Sequence, residues 1–384
     1  MKIQQFLWEP ATGWNPALPV HDTDTQLVLF FGGKNALASG VIYETLDQCF
    51  PESEHVGCTT SGEIYEEEVF DESVVVSAIS FEKTPIKVES VQFSATKDSF
   101  SAGNILGEKL ISDGLKAVFV LSDGHQVNGS ELVQGLTDAL GSEVVITGGL
   151  AGDGARFEET LVSHNHKPEP GRIVAIGFYG DAIQVGHGSV GGWDTFGPER
   201  TITRSKKNVL YELDGKSALE LYKTYLGSEA EKLPGSALQF PLAIRKNGQS
   251  GSGTVRTILS INEQDGAMVF AGDMPEGHVA QLMMANFDRL VDGAAEAAKY
   301  ASMESLSKTE GDKLAILVSC VGRKIVLGQR TADEVEAVGE VLEDNLGKIS
   351  RIGFYSYGEI SPHVEVGSCE LHNQTMTITY FSEN

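Results

Sequence analysis

The chain has 384 residues, room for two domains with sizeable cores. Its hydrophobic fraction of 41% is that of an ordinary globular protein, and no stretch approaches the roughly 20 apolar residues of a membrane span. A formal charge of −25, with no dense Lys/Arg run against it, argues against nucleic acid and anionic membrane as partners and serves solubility.

The start, Met1-Lys2-Ile3-Gln4-Gln5, lacks the basic opening and apolar run of a signal peptide, so a cytoplasmic location is expected. Cys49, Cys58, Cys320 and Cys369 form no C-x-x-C or C-x-x-C-H pattern. Structural zinc and covalently attached haem therefore have no support, and reduced, mostly buried thiols are expected.

The first unit opens on an apolar strand at Leu27–Gly33, passes through a helical stretch to GCTTSGEI (57–64), and continues into a strand at Val74–Phe81. The second repeats the plan with Ala117–Gly124, a helix near Ser130–Leu140, TGGLAGDG (147–154) and Arg172–Phe178. Residues 181–213 then read as strands and Ser217–Leu226 as a short helix. Gly227–Gly253 is rich in Gly, Ser and charge, which sets an expected boundary near residues 228–240. Asp273 and Pro275 are expected to open a long helix reaching about Met303, with Val279, Leu282, Met283, Asn286 and Leu290 as its core stripe. The third unit runs Leu314–Gly322, a helix, IGFYSYGEI (352–360) and Thr375–Phe381. Its helix carries Thr331 and Glu334 as a capping box, Val335, Val338, Leu342 and Leu346 at helical spacing, and Gly347 as a stop. Continuous apolar strands of this kind are buried on both faces. The fold class expected is α/β, with two domains of mixed sheets flanked by helices and repeated strand–helix–strand units.

Gly186-His-Gly-Ser-Val-Gly191 spells G-x-G-x-x-G, but loop residues follow where a dinucleotide site needs a helix. Ser122-Asp-Gly-His125 gathers catalytic residue types on neighbouring positions, which rarely converge on one atom, so a turn is the better reading than a hydrolase site. The loops at Glu63, Asp153 and Glu359 each follow the second strand of a unit, where glycine lets backbone approach a ligand and a carboxylate can accept from an amine. Turns with solvated acids are the alternative. His187 shares a strand face with Ile183 and Val185, and glycines at 186, 188, 191 and 192 promise open volume beside it. Trp193 and Phe196 supply a wall, and Arg200 and Arg204 could hold carboxylates. That combination is what a haem pocket needs, although from residue types alone a satisfied core histidine is the better reading of His187.

Taken in order, GCTTSGEI, GGLAGDG (148–154), TRSKKNVLYELDGKSALELY (203–222), AGDMPEG (271–277), SCVGR (319–323), GFYSYGEISP (353–362) and CELHNQT (369–375) resemble the FIST sensory family. The resemblance spans a FIST-N segment at 1–228 and a FIST-C segment at 229–384. It implies a non-catalytic input module in which a small ligand alters signalling by a partner. The run GHGSVGGWDTFGPER (186–200) resembles the stand-alone FIST proteins that bind haem b and sense nitric oxide, often called NosP. These imply His187 as axial ligand to haem iron, and a sensor histidine kinase or a cyclic-di-GMP enzyme as partner. The alternative is a haem-free sensor of a metabolite such as an amino acid. Its site would use Glu63, Asp153, Arg323, Tyr355 and Glu359, with Arg323 clamping a carboxylate and Glu359 taking the ammonium.

Overall fold

The computed structural model describes residues 1–233, 235–248, 253–303, 311–363 and 367–384. The fold is α/β, with mixed sheets flanked by helices. Each of the three units contributes a lead strand, a first strand, a crossover helix, a second strand, a trailing strand and a return strand. The first strands are Leu27–Gly32, Leu115–Ser122 and Leu314–Cys320. Each pairs in parallel with its second strand, Glu54–Thr59, Val145–Leu150 or Ser350–Ser356. Each also pairs antiparallel with its return strand, Val74–Ser80, Arg172–Tyr179 or Met376–Glu383. The lead strands, Lys2–Glu9, Ile86–Gln92 and Ile183–Val190, lie beyond the return strands.

The trailing strands pass between units in a cycle. Glu63–Tyr65 of unit one extends the sheet of unit three, Gly358–Pro362 of unit three extends that of unit two, and Val162–His164 of unit two extends that of unit one. Three six-stranded sheets result. They enclose a shared core, reached by alternate residues of each strand: Leu29 and Phe31, Phe119 and Leu121, Ile316 and Val318. The intervening residues, such as Phe30, Val120 and Leu317, pack outward on separate clusters. Both faces are thus dry, which is why the strands read as unbroken apolar runs.

Residues 194–284 build an eight-stranded sheet inserted between the lead strand and the outer helix of unit three. The stretch around 228–240 holds two short 3-10 turns, Gly227–Lys232 and Gly235–Gln239, on either side of Pro234, which lies outside the described residues, as do 249–252 of the Gly/Ser-rich run. Ile183–Val190 pairs along its length with Met376–Glu383, so the two halves of the chain share a sheet. Among the described residues no helix is long and apolar enough to cross a membrane.

Three expectations about local structure are corrected. The long helix from Asp273 is instead a strand, Val279–Met284, followed by a helix at Phe287–Met303. The strand is held by ladders to Leu242–Arg245 and to the strand from Asp194, so its apolar residues serve alternation and not a helical stripe. Thr331 is the first residue of its helix, and its hydroxyl donates back to the Gly328 carbonyl at 2.6 Å, while Glu334 turns inward to an ion pair, so there is no capping box. The space expected at the glycines flanking His187 is taken by helix backbone. A Cβ at Gly186 or Gly188 would sit 2.0 or 2.1 Å from the carbonyls of Ala301 and Ala297. Those glycines let the helix Phe287–Met303 lie flat on the strand.

Candidate functional site

The strand ends bring the Gly-acidic loops together. Ser61 N–H donates to the Tyr355 carbonyl, Tyr357 N–H to that of Leu150, and Gly152 N–H to that of Thr59. Glu63, Asp153 and Glu359 are all fully buried. Glu63 accepts from the Thr60 hydroxyl and from the N–H and hydroxyl of Ser73 (3.0 and 2.8 Å). Glu359 repeats this with Ser356 (2.7 Å) and the N–H and hydroxyl of Thr375 (3.1 and 2.9 Å). Burial pushes Glu63 up to about 7 and Glu359 up to about 8. Asp153 differs. Burial pushes it up, but the Tyr357 hydroxyl and the N–H groups of Glu159, Glu158 and Phe157 outweigh that, leaving it below its usual range. In unit two, Ala151, Gly154 and Arg172 stand where units one and three have their hydroxyl, acid and Ser/Thr partners.

Arg323, expected to clamp a ligand carboxylate, clamps Glu334. Its Nε and Nη2 donate to Glu334 Oε2 at 2.9 and 2.7 Å, and Nη2 also reaches the Leu290 carbonyl. Glu334 Oε1 accepts from the Ser319 hydroxyl (3.1 Å) and the Tyr355 hydroxyl (2.8 Å). Burial, and then the charge of Glu334, pushes the Tyr355 phenol far up. Every member of this network finds its partners within the protein.

Ile183 and Val185 face the central core, and His187, next on that face, lines a cavity of about 590 Å³ with Ile146, Tyr300, Met303, His363 and Cys369. The other four residues grouped with it lie elsewhere. Trp193 is buried, with its indole N–H donating to the Gln374 carbonyl at 2.8 Å. Phe196 packs with Phe240 in the core of the eight-stranded sheet. Arg200 binds Asp214 and the Tyr225 hydroxyl, and Arg204 binds Glu212 and lies over the Tyr211 ring. Set against haem, the described lining offers an imidazole for iron but no cation for the propionates, so the fit is incomplete. His372 is buried in the strand Cys369–His372, where burial pulls it down to about 4.

A larger cavity, of about 840 Å³, adjoins this one and shares Thr137, His363 and Cys369 with it. It opens between the helix Gly129–Leu140, the strand Cys369–His372 and the inserted sheet. Arg256, at the end of the strand Thr254–Arg256, lines it. Its Nε donates to the Asp273 carbonyl (3.1 Å) and its Nη1 to the Leu371 carbonyl (2.9 Å). A third cleft, of about 690 Å³, holds His125 beside the stacked rings of Phe157 and Tyr357 (centroids 4.6 Å apart). Its Ser-Asp-Gly-His run is a turn: the Asp123 carboxylate accepts N–H bonds from His125, Gln126 and Gly171, and the Ser122 hydroxyl donates to a carbonyl.

Residues 26–216 match the FIST N domain and residues 218–362 the FIST C domain. The chain belongs to the FIST family. FIST domains are sensory ligand-binding modules. An uncharacterized protein of Methanocaldococcus jannaschii is 24% identical over 360 residues, which cover 83% of this FIST chain and 66% of that protein's length. Among solved structures, a cyanuric acid hydrolase from A. caulinodans is similar at a TM-score of 0.20 and 11% identity, covering 78% of this chain and 99% of that one. The PurLQS structure from Thermotoga maritima gives 0.22 and 8%, covering 85% and 74%. At such scores neither likeness bears on fold or function. Two FIST stretches meet at Arg256. AGDMPEG supplies Gly272, where a Cβ would stand 2.8 Å from the guanidinium, and the Asp273 carbonyl; CELHNQT supplies the Leu371 carbonyl. Arg256 was not singled out from the sequence, because one arginine after Thr254-Val255 carries no periodic signal.

Proposed function

We propose that this FIST chain senses a small molecule lodged between its three-unit body and its inserted sheet. Occupancy would regulate a partner, either a sensor histidine kinase or an enzyme of cyclic-di-GMP metabolism. The carrying observation is the tract formed by the 590 and 840 Å³ cavities, which touches the body at Thr137 and Cys369 and the insert at Ile244, Thr254 and Arg256. Its size suits a small-molecule site. A ligand contacting both parts binds their relative arrangements unequally, and that differential affinity is what shifts a population. The chain is read as non-catalytic, since Ser122 and Asp123 are spent on a turn. Gln134 is exposed on the cavity wall, so Gln134→Trp should fill the cleft without unfolding the protein. Metabolites should raise the melting temperature of the parent and not of this variant. A screen in which no compound distinguishes the two would end this reading.

A second reading keeps haem and nitric oxide, favoured by the family resemblance and by the place of His187 in the smaller cavity's wall. Bound haem would supply a gas-binding iron, and His187 is the residue that would hold it. Protein expressed with ample haem should then show a Soret band that His187→Ala shifts or removes. Identical spectra in parent and variant would take His187 out of such a site.

A further inference from the structure

Arg256 is 7% exposed, and Nη1 also donates to its neighbour's carbonyl, Val255, at 3.2 Å. Among the described residues no carboxylate forms an ion pair with it; Glu370 and Asp273 act only at a distance. Those two acids are turned to neutral partners, Glu370 to the Thr254 hydroxyl (2.9 Å) and Asp273 to the Asn128 amide (3.1 Å). Burial therefore dominates and pulls the guanidinium's pKa below its ordinary value, only partly offset by Glu370 and Asp273. A buried charge met only by partial charges is costly, and packing alone would be served as well by an uncharged side chain.

The surroundings are equally unusual for this chain. Among the described residues the cleft sets Arg245, Lys246 and Arg256 against Asp138, Asp273 and Glu370, an even balance in a protein of net charge −25. Arg245 is engaged by Glu199, whereas Lys246 is exposed on the rim. Gly272 lets its backbone pack directly against the guanidinium, since a Cβ there would stand only 2.8 Å from Arg256 Nε.

We infer that the 840 Å³ cleft is an anion site, in which Arg256 anchors the carboxylate or phosphate of a small organic ligand and Lys246 adds charge at the rim. A guanidinium presents N–H groups in a planar fork, and charge-assisted bonds of this kind are about twice as strong as neutral ones. Binding would supply the counter-ion that the fold withholds. The inference rests on the reading that this cleft holds the ligand.

The test titrates the full chain with inorganic phosphate, succinate and the neutral succinamide, followed by calorimetry and thermal shift. One or both anions should bind and succinamide should not; which anion binds separates phosphate from carboxylate recognition. Arg256→Gln should weaken that binding at least tenfold, with partial recovery in Arg256→Lys, and Gln134→Trp should abolish it. Lys246→Ala, at an exposed position, should weaken it about threefold, which keeps the test available if Arg256→Gln fails to fold. Absence of saturable anion binding, or equal affinity in the parent and Arg256→Gln, overturns the anion site. If a neutral compound binds the parent, is lost in Gln134→Trp and is untouched by Arg256→Gln, only the anion class fails and the ligand cleft stands. If anions bind equally to Gln134→Trp, both readings fail.

Discussion

Arg323 and Arg256 are two guanidiniums buried to a similar depth and treated in opposite ways. Arg323, fully buried, meets the Glu334 carboxylate, whose second oxygen is taken by Ser319 and Tyr355. Arg256 meets three carbonyls and a cleft. A buried ion pair with all its lone pairs satisfied is closed to ligands, and its role is to join elements, here the helix Val321–Leu327 to the helix Thr331–Leu346. A buried cation whose counter-charge is missing, beside open volume, marks a place where a ligand's charge is worth most. Residue type alone therefore does not say which arginine binds; the neighbour does.

The largest effect should come from breaking the closed pair. Glu334→Gln leaves the Arg323 charge buried without its partner and should cost about 3–5 kcal/mol in urea unfolding. A loss below about 1 kcal/mol would mean that Arg323 is better solvated than its full burial implies.

Glu359 and Glu63 extend the comparison to acids buried with only hydroxyl and N–H partners. A carboxyl whose folded pKa is raised stabilises the fold while protonated, fully so below the unfolded value. That stabilisation fades as pH rises through the folded value. Stability should therefore fall between pH 4.5 and about 8. Glu359→Gln should flatten part of this fall and be the more stable protein at the alkaline end, by a few kcal/mol at most. Urea midpoints that are independent of pH across that window would contradict the lifted values.

Arg256→Gln should destabilise the unliganded protein by about 1–3 kcal/mol, less than Glu334→Gln, because it loses hydrogen bonds to carbonyls and strands no opposing charge. A larger loss than in Glu334→Gln would invert the comparison and make Arg256 a structural keystone. At the solvent end of the scale, Lys207 pairs with Glu131 at 2.8 Å with 62% of its side chain exposed. Lys207→Ala should change stability by less than about 1 kcal/mol, the usual worth of a surface pair.

The local features of this chain were legible because their causes are local. Alternation along Leu27–Phe31 and its counterparts follows from the pleat, and unbroken apolar runs follow from burial on both faces. The Gly-acidic loops follow their strands directly, as the repeated plan required, and no helix holds Glu63, Asp153 or Glu359. The α/β class, with its repeated strand–helix–strand units, was readable for the same reason. The Val279–Met284 segment was misread because Val279, Leu282 and Met283 suit either period, and only the ladders from Leu242–Arg245 and from Asp194 choose between them. Glycines 186 and 188 were read as space because a sequence does not show the helix that fills it.

By itself the sequence determined the first, second and return strands of the three units, several of the helices, the family and the strand-end position of its acids, since each depends on residues near in the chain. Tertiary structure decided which charges are closed and which are open. Arg323 and Glu334 lie 11 residues apart and on successive helices, yet the Arg323 fork also reaches Leu290 across the sequence. Arg256 depends on Leu371, 115 residues away, and on Asp273. The cyclic exchange of trailing strands is of the same kind: each pairs with a strand of another unit, because hydrogen-bonding partners in a sheet are set by spatial adjacency and not by chain order.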